Sequence, residues 1–466
     1  MVDRLTVHPA AATQPSEYRL LPGLAELTPG NAVPLYLMVQ IVFPDDKTTE
    51  EVLYPENHKY DWLDTPIDQF PAKYTQRLLD EYADALAYGD LAARRRDVVW
   101  DVGWRERAAS GTKYMAYLNG MHHLAIVTAF RARWQVSRKD WPSAAYSLQT
   151  TLAMSRQVAR EPAQLHARIS EVIAEIAIND GAEEWVSRAG SPNLYWALSQ
   201  LPHPWLEPRA PGQDESYDWE LKYTNPLVYS AIEGDLPPEQ WPRRIRQMVG
   251  MGEDETAPYT RSAARIEDLS RQLIESAYPR AVAYLVSHGT PRAKTDAMSK
   301  EQAVGTYLCR EYRSARDELC KALILPFPQL QDQMLSTWRE IAPDKQPLSE
   351  NPLVDALLVY HQIEEVMGPR RPAYAAPTLL RMRYDLLRPD REIAMFRTIE
   401  ALRDYAAHHD GRPPERLDQV TELLLPTDPI TGEPFEYELH GNVATLKPHV
   451  PPFYRVARNV ELTFEP

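Results

Sequence analysis

The sequence predicts a mostly α-helical protein: an irregular array of antiparallel helical hairpins with a small α+β unit at its C-terminal end. Three observations carry this. Proline outnumbers glycine, 41 to 18, which suits helices joined by proline-bearing connections and disfavours sheet-heavy folds and glycine-rich phosphate loops. From Pro71 onward, apolar residues recur at three- and four-residue spacing, the period of helices with one buried face. After Gly411 that period gives way to dense turn chemistry and then to alternation.

At 466 residues the chain exceeds one ordinary core. The pattern divides it into an N-terminal arm with a short helix (1–64), the hairpin array (65–368), and C-terminal helices with a small antiparallel sheet (369–466). Residues 1–30 are rich in Pro and Ala, lack periodicity and read as an extended arm lying on the body. Asn31 is placed to cap a short helix carrying Val33, Leu35, Tyr36, Met38 and Val39, which Pro44-Asp45-Asp46 stops. Residues 45–64 read as a solvated acidic loop, since Asp45, Asp46, Glu50 and Glu51 lack the regular spacing of a calcium loop. Pro71 suits the first position of the next helix, with Tyr74, Leu78, Leu79, Tyr82 and Leu86 on its face. Helices are expected over 91–107 and 112–137. Asp140 is placed to cap another over 142–160, and Glu161-Pro162 precedes a helix over 163–180.

The stretch from Ser191 to Trp205 closes this helical run and opens the most irregular part of the chain. It packs Tyr195, Trp196, Trp205 and three prolines into a short span. Beyond it lie a loop-rich segment with a short helix near 215–222, then helices over 238–249, 258–288, 299–324, 328–341 and 352–366. A final pair, 375–387 and 390–408, leads to a short helix near Leu417. Phe435–Leu439 and Val443–Leu446 alternate around His440-Gly441-Asn442, a hairpin pattern, and Val460, Leu462 and Phe464 suit a third strand.

Composition excludes some functions. A net charge of −15 argues against nucleic acid, whose phosphates need a clustered basic surface. The basic runs Arg94-Arg95-Arg96, Arg243-Arg244 and Arg370-Arg371 are short and read as solvated helix faces. No apolar run reaches the length of a membrane span. Met1-Val2-Asp3-Arg4 leads into no apolar signal region, so the chain either acts in the cytoplasm or begins after a removed signal. Cys309 and Cys320 would lie ~16 Å apart on one helix, beyond disulfide reach, and read as two buried thiols.

The hairpin 112–137 and 142–160, with Ala132, Ala144 and Leu148 at packing positions, resembles a tetratricopeptide-type unit, and no second copy follows at a fixed period. The segment Ile399–Tyr405, then Gly411, Pro414, Leu417 and Asp428-Pro429-Ile430-Thr431-Gly432-Glu433-Pro434-Phe435-Glu436-Tyr437, is similar to the globular head of type II secretion pseudopilins. That likeness covers about 390–446; here the helix is C-terminal, and the Asp-rich calcium end of major pseudopilins is not evident. Gly30-Asn31-Ala32, Pro192-Asn193-Leu194-Tyr195-Trp196-Ala197-Leu198, Leu201-Pro202 and the Asp-Pro tail together resemble uncharacterised exported proteins of planctomycete bacteria. This second resemblance covers most of the chain and implies an extracytoplasmic place, with no known activity.

No nucleotide loop, nucleophile elbow, His-Glu-x-x-His or Cys-x-x-Cys motif is present, and no motif implies a cofactor or metal. His122 and His123 sit mid-helix and point ~100° apart, which ill suits one shared ion; core histidines are the plainer reading. Glu171 and Glu175 share a helix face, with His166 shortly before them. Such a set can hold a metal or do acid–base work, although a solvated face is the simpler reading. His361-Gln362-Ile363-Glu364-Glu365 resembles part of an inverted zincin motif, but Glu365 stands where the second His belongs. Tyr195, Trp196 and Trp205 form either an aromatic platform for sugar or peptide or a plug between helical layers. The expectation is a non-enzymatic binding or scaffold protein of the bacterial cell envelope, its partner a protein or surface polymer. The alternatives are a hydrolase using carboxylates with a His in a helical cleft, and a component of a secretion or pilus-like apparatus.

Overall fold

The chain starts and finishes in one sheet. This computed structural model describes residues 2–44, 61–100, 111–161, 164–206, 226–234, 236–249, 263–322, 325–341, 378–450 and 458–465. Two units emerge: Met1–Glu207 with Asp385–Pro466, and Pro208–Tyr384. This partition differs from a linear one at 64 and 368, because the N-terminal arm pairs with the tail. The strands are β1 (Val2–Val7), β2 (Thr28–Asn31), β3 (Arg95–Asp97), β4 (Glu436–His440), β5 (Val443–Lys447) and β6 (Asn459–Phe464). The larger sheet has the order β1-β6-β5-β4. The hairpin and its third strand are antiparallel, while β1 joins β6 in parallel with Leu5 opposite Leu462 and Val7 opposite Phe464. Alternation buries one face: Leu5, Val7, Ala444, Leu446, Val460, Leu462 and Phe464. They share a core with Phe396, Ile399, Leu402 and Ala406 of the C-terminal helix.

The first unit is otherwise helical: α1 (Val33–Val42), α2 (Ala72–Glu81), α3 (Ala83–Ala93), α4 (Gly111–Ser137), α5 (Trp141–Val158), α6 (Gln164–Glu175), a π-helical turn (Ile176–Ala182), α7 (Glu183–Val186) and α8 (Tyr195–Ser199). Asn31 accepts from the Val33 N–H at 3.2 Å and so caps α1 from just outside it. Asp140 caps α5 through the Ser143 N–H. The tight turn between α4 and α5 places Lys139 in the left-handed region, φ 59°. Its N–H reaches the Val136 carbonyl and that of Asp140 reaches Gln135, the pattern of a helix stop that normally takes glycine. Lys139→Gly should therefore stabilise the unit by ~1 kcal/mol, measured as a higher urea midpoint at unchanged slope.

The helix expected over 91–107 ends at Ala93, and the chain turns into β3 beside β2. Three side chains force this. Gln157 donates to the Ala92, Ala93 and Arg95 carbonyls, ending the helix. Arg94 swings onto α5, donating to Thr150 and Gln149 and lying 3.4 Å over the Tyr146 ring. Asn31 clamps the Val99 backbone, donating to its carbonyl and accepting from its N–H.

The second unit comprises α9 (Pro226–Glu233), α10 (Trp241–Val249), α11 (Ala263–Ser287), α12 (Arg292–Asp296), α13 (Lys300–Lys321), α14 (Phe327–Ile341) and the first turns of α15 (Thr378–His408). Ile245, Ala277, Ala281, Val304, Tyr307 and Leu308 form its core. Cys309 is a buried thiol there, and burial pushes it up to about 12. Gly305 lets the Trp241 ring lie on α13: a Cβ there would stand 2.1 Å from the ring. A ring and a helix backbone cannot both give way, so Gly305→Ala should destabilise this unit by ~1–3 kcal/mol, read by urea unfolding.

A pair of helices was expected where α15 runs unbroken through Pro389. Proline removes one helical hydrogen bond and crowds the preceding turn. Here side chains on both sides hold the two halves in line. Arg388 pairs with Glu171 and Glu175, and Asp390 accepts the Trp205 N–H. Among the described residues no helix is long and apolar enough to cross a membrane. The segments holding Asp45–Glu51, 215–222 and His361–Glu365 lie outside the described residues, as does the Cys320 side chain.

Candidate functional site

Two polar clusters in the first unit lie at the aromatic stretch and at the acid pair singled out by sequence, apart from the histidines. The first is built on the irregular stretch after α7. Asn193 is fully buried. Its amide nitrogen donates to the Ala10 and Glu400 carbonyls, and its oxygen accepts the Tyr195 N–H, starting α8. Glu400 Oε1 accepts the Leu194 N–H at 2.9 Å and Oε2 accepts Arg403 Nη1 at 2.8 Å. Arg403 donates its remaining N–H groups to the His8 carbonyl and to Ser191. Burial raises the Glu400 pKa, while the Arg403 guanidinium lowers it. The cluster ties three distant segments: residues 8–12, 191–195 and 400–404.

The aromatics of this stretch face inward. Tyr195 is buried and donates its hydroxyl to the Leu424 carbonyl. Trp205 is 1% exposed; its Nε1–H donates to Ser155 Oγ at 3.1 Å, and Arg156 lies over its ring. Trp196 is half-buried and meets Tyr195 edge to face at 5.2 Å. The arrangement fills space between helices and presents no open stacking platform of three rings.

The second cluster is a seam of carboxylates and guanidiniums along α6, the π turn and α7. Glu171 is 1% exposed, so its face is not a solvated one. Glu171 Oε1 accepts from Arg388 at 2.8 Å, and Oε2 stands 3.6 Å from Arg168 with no hydrogen-bond partner. Glu175 pairs with the same Arg388 at 2.9 Å. Arg168 also pairs with Asp385. Further along, Arg458 at the entry to β6 engages Asp3 of β1, Asn179 of the π turn, Glu183 of α7 and Glu392 of α15. Guanidiniums do not offset the desolvation here. Burial, then the neighbouring Asp385, pushes Glu171 up to about 8 despite Arg388. Burial pushes Glu175 and Asp180 up to about 7, and raises Glu183 and Glu392. Burial opposes the charge on Arg458, but Glu183, Glu392 and Asp3 raise its pKa.

The histidines lie elsewhere. His123 is buried on α4, its Nε2 2.9 Å from the Tyr82 hydroxyl and its ring 4.5 Å from that of Phe43. Burial and His122 lower its pKa to about 4, and burial lowers that of half-buried His122. His166 meets the Tyr117 hydroxyl at 2.6 Å and the Trp100 ring. Five residues along a helix turn it ~140° from Glu171, so the triplet does not converge. Among the described residues no hydrogen bond or ion pair joins His122 or His123 to Glu171 or Glu175, and no group of three His, Cys, Asp or Glu is arranged to hold a metal ion. Sequence reading missed Asp180, Arg388, Glu400, Arg403 and Arg458. For Arg388 a signal existed: it directly precedes a proline in a run expected to break there, which invites a search for side chains that hold the break straight.

No protein-family model, curated protein or solved structure matches the chain.

Proposed function

We propose that the protein is a non-enzymatic binding or scaffold protein of the bacterial cell envelope, with another protein or a surface polymer as partner. One observation supports this best. The polar side chains suited to chemistry are engaged in joining the chain's own distant parts, as where Asn193, Glu400 and Arg403 bind residues 8–12 to α15. Catalytic groups are instead held within reach of a reacting atom. Envelope residence stands on the likeness to exported planctomycete proteins.

The hydrolase reading is favoured by Glu171, a buried acid with one oxygen lacking a hydrogen bond and with a neighbouring carboxylate on Glu175, the pairing that tunes acids for proton transfer. The apparatus reading is favoured by the sequence of α15, the Asp428 turn held by Arg391, and the β4–β5 hairpin. One experiment tests the scaffold reading against the hydrolase. The full-length protein, carrying a photo-crosslinking residue on its exposed surface, is followed in its native cells by fractionation. The scaffold reading expects envelope residence and one discrete crosslinked species. Cytoplasmic residence, or ester, amide or glycoside hydrolysis by the purified protein that is lost in Glu171→Gln, overturns it.

A further inference from the structure

We propose that the seam joining α6, the π turn and α7 to α15 and the paired terminal strands is a proton-linked latch, which holds protons in the folded state and loosens when they are withdrawn. The geometry carries this beyond the binding role and independently of it. The groups facing one another are Glu171, Glu175 and Arg168 from α6, Asp180 from the π turn, Glu183 from α7, and Asp385, Arg388 and Glu392 from α15. Arg133 enters from α4, Asp3 from β1, Arg458 from the entry to β6 and Asp64 from the loop ahead of residue 65. Carboxylates thus outnumber guanidiniums two to one. The flanking cations do not redress this: Arg391 is paired with Asp428, and Arg188 with Glu184 and Asp68. Glu184 itself also competes for Arg133. Asp385, Glu171, Glu175 and Glu392 form one run of neighbouring acids, Glu183, Asp180 and Asp64 another, and Arg458 joins the two by pairing with Glu392 and Glu183.

Fully ionised, the seam leaves excess negative charge at the buried Glu171 and the half-buried Glu175 and Asp180, which burial penalises. The fold lowers that cost by keeping protons on Glu171, Glu175 and Asp180, pushed up to about 8, 7 and 7. The unfolded chain releases those protons near the ordinary carboxylate range, so their stabilisation is full below pH ~4 and is lost as pH rises through 7 to 8. His123 has the opposite sign: its folded value is lowered to about 4, so it withdraws stability as pH falls below ~6.5. Between pH 7 and 8.5 it is neutral in both states; Cys309, whose buried thiol ionises there only in the unfolded chain, adds a smaller loss of the seam's own sign that the double variant below retains. Arg458 holds both Asp3 and Glu183, so loosening would reach β1 and β6 first.

The test is thermal unfolding of the full chain at pH 7.0 and 8.5, paired with rate-corrected hydrogen exchange of peptides covering 2–7 and 459–464. The wild type should melt ~5 °C higher at pH 7.0, with at least tenfold slower exchange in both strands. The double variant Glu171→Gln, Glu175→Gln keeps size and hydrogen bonding but holds no titratable proton. It should melt at least as high as the wild type at pH 8.5 and lose most of the pH dependence. A wild-type melting temperature that is flat or rises with pH overturns the latch, as does a double variant that keeps the full dependence. If the double variant fails to fold, the exchange of the wild-type strands at the two pH values decides alone.

Discussion

Arg403→Met lowers the stability of the first unit by about 3–5 kcal/mol. Both Arg403 and Glu400 are fully buried, with no solvent in reach of either side chain. Removing the guanidinium leaves a carboxylate with one N–H donor, from Leu194, in surroundings that already raise its pKa. It also strips the His8 carbonyl and the Ser191 carbonyl and hydroxyl of their donors, and an orphaned buried acceptor costs about 1–3 kcal/mol. The double change Glu400→Gln, Arg403→Met removes the stranded charge while keeping an oxygen for the Leu194 N–H. It should recover half or more of the loss. Urea unfolding of the full chain measures both variants, and limited proteolysis should show early cutting near residues 8–13 in the single variant. A loss under 1 kcal/mol, or a double variant worse than the sum of the two singles, would show that the cluster does not hold the arm to α15.

How much of this architecture was legible in the sequence depends on distance along the chain. The helices α4 and α5, with Asp140 between them, rest on periods and caps within a few residues, and the structure places every end of both within two residues of expectation. The β4–β5 hairpin is equally local. By contrast, β1 pairs with β6 across 457 residues; a parallel pair with no turn leaves no local mark, so residues 1–30 read only as an arm. Two local rules were overridden by tertiary contacts. Arg94-Arg95-Arg96 read as a helix face, but Arg94 is drawn onto α5 and Asn31 straightens the chain at Val99. Pro389 read as a break, but Arg388 and Asp390 bridge it.

The same distinction governs the site. Spacing put Glu171 and Glu175 on one face, and they do share one guanidinium. Their burial was invisible, because the arginine that covers them lies 217 and 213 residues away. An acid pair at four-residue spacing is the usual mark of a solvated face; only a remote partner turns it into an interior. The irregular Ser191–Trp205 stretch did carry its own signal. Three prolines and Asn193 remove regular hydrogen bonding there, and such a segment can be buried only if side chains supply the missing partners. Asn193 accepts the Tyr195 N–H, Glu400 that of Leu194 and Asp390 that of Trp205.

Trp205→Ala is expected to be as damaging as the loss of Arg403, at about 3–5 kcal/mol. The ring is among the largest fully buried side chains and shares the core of Leu152, Leu198 and Leu206. Alanine leaves a cavity there, and the Nε1–H bond to Ser155 disappears. Ser155 itself stays satisfied, since it still donates to the Ser170 carbonyl at 2.8 Å and meets the Ser170 hydroxyl. The backbone N–H of residue 205 also keeps both oxygens of Asp390. The cost is therefore one of packing and not of stranded polar groups, which Trp205→Phe separates. Phenylalanine refills most of the space and forfeits one hydrogen bond, so it should cost about 1–1.5 kcal/mol plus whatever void the smaller ring leaves. If the two substitutions prove equally severe, the Ser155 bond dominates and the ring is not a plug. If both are mild, under 1 kcal/mol by urea unfolding, the helices around it close without it, and the stretch from Ser191 to Trp205 is held by its polar contacts with Glu400, Arg403 and Asp390 rather than by the ring.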